Sequence, residues 1–115
     1  PPPSPPPPSP SPPPIVSILV STAGSPAYFT YAGDGLPSTF QAGQVYVFTP
    51  GYIPYNHRFK VGTAPNVRPG WITGADHLQF YNGEITMAIP SDYTGSISLY
   101  CPFHSSMELI VAVTV

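Results

Sequence analysis

Short apolar runs, each broken by a cluster of turn-forming residues, are the feature that most limits what this 115-residue chain can fold into. Beyond residue 14, no window repeats apolar side chains at helical spacing over three turns. Gly, Pro, Asn and Asp separate the runs, and Asp34-Gly35 and Asn82-Gly83 are strong turn signals. The pattern is typical of an all-β sandwich. Strands are predicted at 15–20, 28–31, 44–49, 57–61, 85–90, 96–101 and 109–115, and a long loop at 63–80.

Residues 1–14 differ from the rest of the chain, because they comprise eleven prolines and three serines. Proline fixes φ and has no N–H group, so this arm can join neither a helix nor a sheet. We expect a polyproline II rod of ~3.1 Å per residue, about 40 Å long. The sequence therefore predicts an arm (1–14) followed by one domain (15–115), which is long enough to bury a modest core.

Charged side chains are scarce, with three basic and five acidic residues and a formal net charge of −2. About a quarter of the residues are charged in ordinary domains. So few basic groups argue against nucleic-acid binding, and no apolar run approaches the ~18 residues of a membrane span. We expect sugars or neighbouring subunits to cover the uncharged surface.

The only cysteine lies within seven residues of a histidine and a methionine, as Cys101, His104 and Met107. Thiolate, imidazole and thioether groups suit copper, and one Cys with two His and a distant axial Met is the blue-copper pattern. The second histidine would be His57, 44 residues before Cys101. Alternatives remain: Cys101 as a small buried hydrophobe, His57 as a packing residue, and Met107 as core. His77 fits no spacing pattern and is predicted to lie in a loop.

With these residues the domain resembles the cupredoxins. The resemblance covers most of 15–115 and rests on segments 15–20, 43–48, 57–61, 85–90 and 100–107. It implies an antiparallel Greek-key β-sandwich. It also implies a copper site with His57, Cys101 and His104 as equatorial ligands and Met107 as the axial ligand.

The arm segment Ser4-Pro5-Pro6-Pro7-Pro8 resembles the repeat of extensins and other hydroxyproline-rich wall glycoproteins of plants and green algae. The resemblance implies hydroxylation of prolines followed by O-linked glycosylation. A semi-rigid linker or a ligand for a proline-binding domain is the alternative. The prolines expected to carry sugars are Pro2, Pro3, Pro5, Pro6, Pro7, Pro8, Pro12 and Pro13.

Enzyme motifs are missing from the sequence, which has no Gly-x-Ser-x-Gly, phosphate loop or His-Glu-x-x-His, and its five carboxylates form no recognisable pair. Two non-enzymatic functions remain. The favoured one is an extracellular structural module of a wall, fibril or surface appendage, in which copies of the chain assemble through the glycosylated arm and copper is optional. The alternative is a type 1 copper electron-transfer protein. The charge-poor surface favours the first, because it lacks the charged patches that steer redox encounters.

Overall fold

The structure is a computed structural model that describes residues 1–8 and 14–115. The described residues form nine strands and a single turn of 3-10 helix at Tyr55–His57, which confirms the all-β prediction. None of the helical structure described is long and apolar enough to cross a membrane. The strands are β1 (Val16–Ala23), β2 (Tyr28–Gly33), β3 (Phe40–Gln41), β4 (Val45–Pro50), β5 (Lys60–Gly62), β6 (Ile72–Gly74), β7 (Ile85–Ala88), β8 (Gly95–Cys101) and β9 (His104–Thr114).

Two sheets enclose one apolar core, as expected for a β-sandwich. The first sheet has the order β2-β1-β4-β7-β6 and the second β3-β9-β8-β5. Two pairings, β1 with β4 and β3 with β9, are parallel, so the prediction of an antiparallel sandwich is wrong in this respect. The reason is the path between β2 and β4. The chain leaves the first sheet to add β3 beside β9, and it then returns alongside β1 in the same direction.

The predicted strands are mostly right in position and less accurate in their bounds. The run predicted at 57–61 is divided, because His57 ends the 3-10 turn and the ladder of β5 begins at Lys60. The predicted loop 63–80 contains β6, which pairs with β7. Strands of two or three residues, such as β3 and β6, are too short to show an alternating pattern in the sequence.

Phe59 lies at the centre of the core and is fully buried. Its ring centroid is 5.0 Å from that of Phe29, 5.6 Å from that of Phe48 and 6.1 Å from that of Tyr31. These three partners come from β2 and β4 in the first sheet, whereas Phe59 directly precedes β5 in the second. The pairs with Phe29 and Tyr31 are edge-to-face, a geometry that stabilises a core beyond the area it buries. The aromatic cluster therefore joins the two sheets.

The strands define two poles of the sandwich. The pole where β9 begins also contains the β1–β2, β4–β5 and β6–β7 connections, and we call it the ligand pole. The opposite pole is where β9 ends, with Ala42 N–H donating to the Thr114 carbonyl. The arm enters there, because the neighbouring Gln44 side chain donates a hydrogen bond to the Pro14 carbonyl. We call this end the arm pole.

Replacing Phe59 with alanine should destabilise the domain by about 3–5 kcal/mol, because it removes the ring that joins the sheets and leaves a cavity. The control is Phe103→Ala, since Phe103 is 56% exposed and should cost no more than ~1 kcal/mol. Urea denaturation of both variants measures the difference. Equal losses of unfolding free energy would contradict this account of the core.

Burial raises the pKa of the Tyr31 phenol above its ordinary value, so the folded state favours the protonated form. The stability that this provides is fully present below the pKa of an unfolded tyrosine, ~10, and is lost as the pH rises above it. Relative to Tyr31→Phe, the wild type should therefore lose up to ~1.4 kcal/mol of unfolding free energy per pH unit above pH ~10. Denaturant titrations between neutral and alkaline pH measure this loss, and parallel pH profiles would refute it.

Candidate metal centre

The β8–β9 hairpin places two of the predicted ligands side by side. Cys101 is the last residue of β8, His104 is the first of β9, and the two face each other across the ladder. Only Pro102 and Phe103 separate them, so the turn is tight. The register shifts between Leu99 and Cys101, and such an irregularity at a strand end re-aims the side chain that follows.

His57 reaches the hairpin from the β4–β5 connection. Its N–H donates to the Pro54 carbonyl at 2.9 Å, which closes the 3-10 turn. Two residues later Phe59 exchanges both backbone hydrogen bonds with Leu78, at 3.1 and 2.9 Å. The position of His57 is thus fixed on both sides. The 3-10 turn holds it from the N-terminal side, and the two hydrogen bonds between Phe59 and Leu78 hold it from the C-terminal side.

The three predicted equatorial ligands converge. One ligand atom from each of His57, Cys101 and His104 lies within 4.8 Å of the others. Cys101 Sγ is 3.5 Å from His104 Nδ1, and the two imidazole centroids are 4.8 Å apart. Cys101 is buried, with 3% of its surface exposed, and His57 is half-buried.

The donor set fits a single soft metal ion. Metal–sulfur and metal–nitrogen bonds of ~2.3 and ~2.0 Å put trigonal donors ~3.7 Å apart. The Cys101–His104 separation of 3.5 Å already matches this value, and the widest pair needs to close by about an ångström. His57 Nδ1 is buried without a hydrogen-bond partner among the described residues, which is costly unless the nitrogen binds something else.

Met107 lies beside the two histidines. It is 6% exposed and belongs to the core cluster, as the alternative interpretation anticipated. It also lines a surface cavity of about 320 Å³ together with His57 and His104. Met107 is therefore both a core residue and a neighbour of the two histidines. Its role as an axial ligand stays a prediction.

His77 lies outside the cluster, in agreement with its assignment to a loop. Its Nδ1 is 3.5 Å from an Asp76 carboxylate oxygen, and Lys60 Nζ is 3.7 Å from the same atom. The hydrogen bond from His77, followed by the charge of Lys60, lowers the pKa of the Asp76 carboxyl. Asp76 is exposed, whereas Lys60 and His77 are half-buried, and the three residues include no cysteine and no second histidine.

Two contacts at the centre were not anticipated from the sequence. The Cys101 thiol lies 3.8 Å from the Asn56 carbonyl, so the residue before His57 also faces the sulfur. The Arg58 guanidinium carbon lies 5.5 Å from the centroid of the Phe103 ring. The order of residues in the chain is one indication of these contacts: Asn56 and Arg58 flank His57, and Phe103 lies between Cys101 and His104. No spacing rule predicts either contact.

The proline positions expected to carry sugars fall in two groups. Six of them, Pro2, Pro3, Pro5, Pro6, Pro7 and Pro8, are described and exposed, without regular secondary structure, so each is accessible to a modifying enzyme. Pro12 and Pro13 lie outside the described residues. Hydroxylation and glycosylation therefore remain predictions.

Comparison of the chain with protein-family models and with curated proteins finds no match. The cupredoxin and extensin resemblances thus rest on the residues named above, and the function is argued from the site.

Proposed function

We propose that the domain binds one copper ion through His57, Cys101 and His104 and transfers single electrons. The observation that supports this most is the convergence of three soft donors from two separate connections at one pole. The sequence alone favoured the structural role, with copper optional. The clustered donors, with a His57 nitrogen that has no hydrogen-bond partner in the described part of the chain, give the copper function the more specific support.

The chemistry of the donors favours copper over a hydrolytic zinc ion. A thiolate with two imidazoles matches the trigonal blue-copper set, and copper bound there would supply one-electron redox chemistry. A catalytic zinc site needs an open position and a base. The donor cluster of the described residues includes no carboxylate that could act as one.

The residues around the copper would have two roles. Some would shield the sulfur from water, and others would form the surface through which electrons pass to a partner. The sulfur of Cys101 is buried against the core and the Asn56 carbonyl, which limits its access to water. Phe103, next to His104 in the turn, is 56% exposed and presents an apolar face to a partner. The Arg58 guanidinium near this ring supplies a positive charge beside that face.

Titration of the reduced full-length chain with Cu(II) should develop a strong visible absorption band at one ion per chain, because Cu(II)–thiolate charge transfer is intense. Cys101→Ser should abolish the band, and His57→Ala should weaken or shift it. The matched control is His77→Ala, which removes a histidine outside the cluster and should leave the band unchanged. A colourless complex, or equal loss of the band in all three variants, would refute the copper proposal.

A second candidate function is the extracellular structural module, which the arm specifically favours. The described arm residues 1–8 are all exposed and carry no charged side chain. An uncharged rod at one end of a charge-poor domain suits assembly into a wall or fibril, where copies of the chain meet each other. Under this proposal the arm carries O-linked sugars and the assembly is a homo-oligomer or filament.

Mass spectrometry of the N-terminal peptide from the native source should show masses raised by hydroxyl groups and pentose units, because exposed consecutive prolines are accessible to modification. Sedimentation of the same material should show species larger than one chain. A peptide at its unmodified mass would refute the glycoprotein assignment, and a monodisperse monomer at all concentrations would refute the assembly role.

A further inference from the structure

An exposed group of aromatic side chains lies at the ligand pole. Tyr81 is 74% exposed, Tyr55 65% and Tyr52 56%; the Phe80 ring packs against those of Tyr52 and Tyr55, and Tyr81 follows Phe80 in the chain. The Phe80 centroid is 4.7 Å from that of Tyr55 and 5.7 Å from that of Tyr52. We call these four residues the aromatic patch. Large apolar groups exposed together on a soluble domain mark an interaction site more often than scattered ones do.

The backbone that presents the patch is strained. Phe80 and Tyr81 have φ values of 40° and 58°, a region that bulky residues rarely adopt. They occupy the centre of a turn closed by Asn82 N–H and the Gln79 carbonyl at 2.9 Å. Phe80 N–H donates to the Ile53 carbonyl at 2.9 Å, which links this turn to the loop that carries Tyr52. Strain of this kind persists where the surrounding structure enforces it, and it clusters at ligand-binding positions.

A trough of about 530 Å³ adjoins the patch. One wall contains Tyr52 from the patch with Pro54, Asn56 and His57, the rest is formed by small residues at the end of β1 and in the β1–β2 connection, and the lining has no Asp, Glu, Lys or Arg. Polyproline II segments dock on surfaces lined with aromatic side chains, because the ligand is already extended and loses little entropy on binding. The chemistry of the trough and the patch therefore fits an uncharged, proline-rich ligand.

The chain itself carries such a segment. We propose that the arm of one copy, through Pro1–Pro8, docks on the aromatic patch and trough of a second copy. This inference rests on the assembly role described above, but with the docked prolines free of sugars, and it identifies the surface that receives the arm. Ser4 is the only non-proline residue in this stretch, so an extended arm offers rings to the tyrosines along almost its whole length.

The positions of the arm and the patch determine the geometry of the assembly. The arm enters at the arm pole, and the patch lies at the ligand pole, at the other end of β9. The 11 residues of β9 span about 36 Å at ~3.3 Å per residue. To reach its own patch, an arm of about 40 Å would have to reverse and lie along the sandwich, whereas Pro1–Pro8 are all exposed. Docking between copies is head-to-tail, and such contacts generate rings or open filaments.

The test uses the full-length chain and a fluorescein-labelled synthetic peptide of residues 1–14 with unmodified prolines. Fluorescence anisotropy should show saturable binding to the wild type. The double variant Tyr52→Ala/Tyr81→Ala should weaken it at least tenfold, since it removes two exposed rings without opening the core. The control Ile110→Ala changes a 63% exposed apolar side chain on β9 and should leave binding unchanged. A peptide with alanine in place of each proline should not bind.

Three results would overturn the docking proposal. The first is equal peptide affinity for the wild type and the double variant. The second is binding of neutral oligosaccharides to the patch without binding of the peptide, which would identify a carbohydrate site instead. The third is sedimentation in which the wild type and the double variant self-associate equally, and in that case the assembly role stands while the docking surface is wrong. If the wild type does not self-associate and the peptide does not bind, both proposals fail.

Discussion

The two backbone hydrogen bonds between Phe59 and Leu78 are the constraint on which both candidate sites depend. Phe59 is fixed in the core by aromatic contacts with the opposite sheet, and Leu78 is fully buried as well. His57 lies two residues before Phe59, and Phe80 lies two residues after Leu78. One bridge between two buried residues thus positions a histidine of the candidate metal centre and the strained turn of the aromatic patch.

The candidate metal centre and the patch share one pole, and His57 contributes to the first and to the trough beside the second. It is a candidate ligand and it lines the trough beside Tyr52. An arm seated in the trough would cover one face of the His57 ring. Under the two proposals, assembly and metal access are therefore coupled: a docked arm shields the metal centre from solvent, and a free pole leaves it open to a redox partner.

The sequence predicted the all-β class from alternation, and the Cys-x2-His spacing brought Cys101 and His104 together, because both patterns depend on residues close together in the chain. His57 lies 44 residues earlier and was assigned through the cupredoxin resemblance, and metal binding by the three stays a prediction. The sequence did not predict the parallel pairing of β1 with β4, since the direction of a returning strand depends on the whole path between them. The sequence did not predict the 3-10 turn that ends at His57, because Phe59 and Val61 follow His57 at the alternating spacing of a strand. The turn at Phe80-Tyr81 was missed because neither residue is a turn former, and only tertiary contacts enforce positive φ there.

X-ray absorption at the copper edge of the copper-loaded full-length chain tests the central claim most directly, because it identifies the atoms bound to the metal. The account predicts one sulfur at a short, thiolate-like distance and two imidazole nitrogens, with the sulfur signal absent in Cys101→Ser. A first shell of nitrogen and oxygen alone, identical in the wild type and Cys101→Ser, would contradict it.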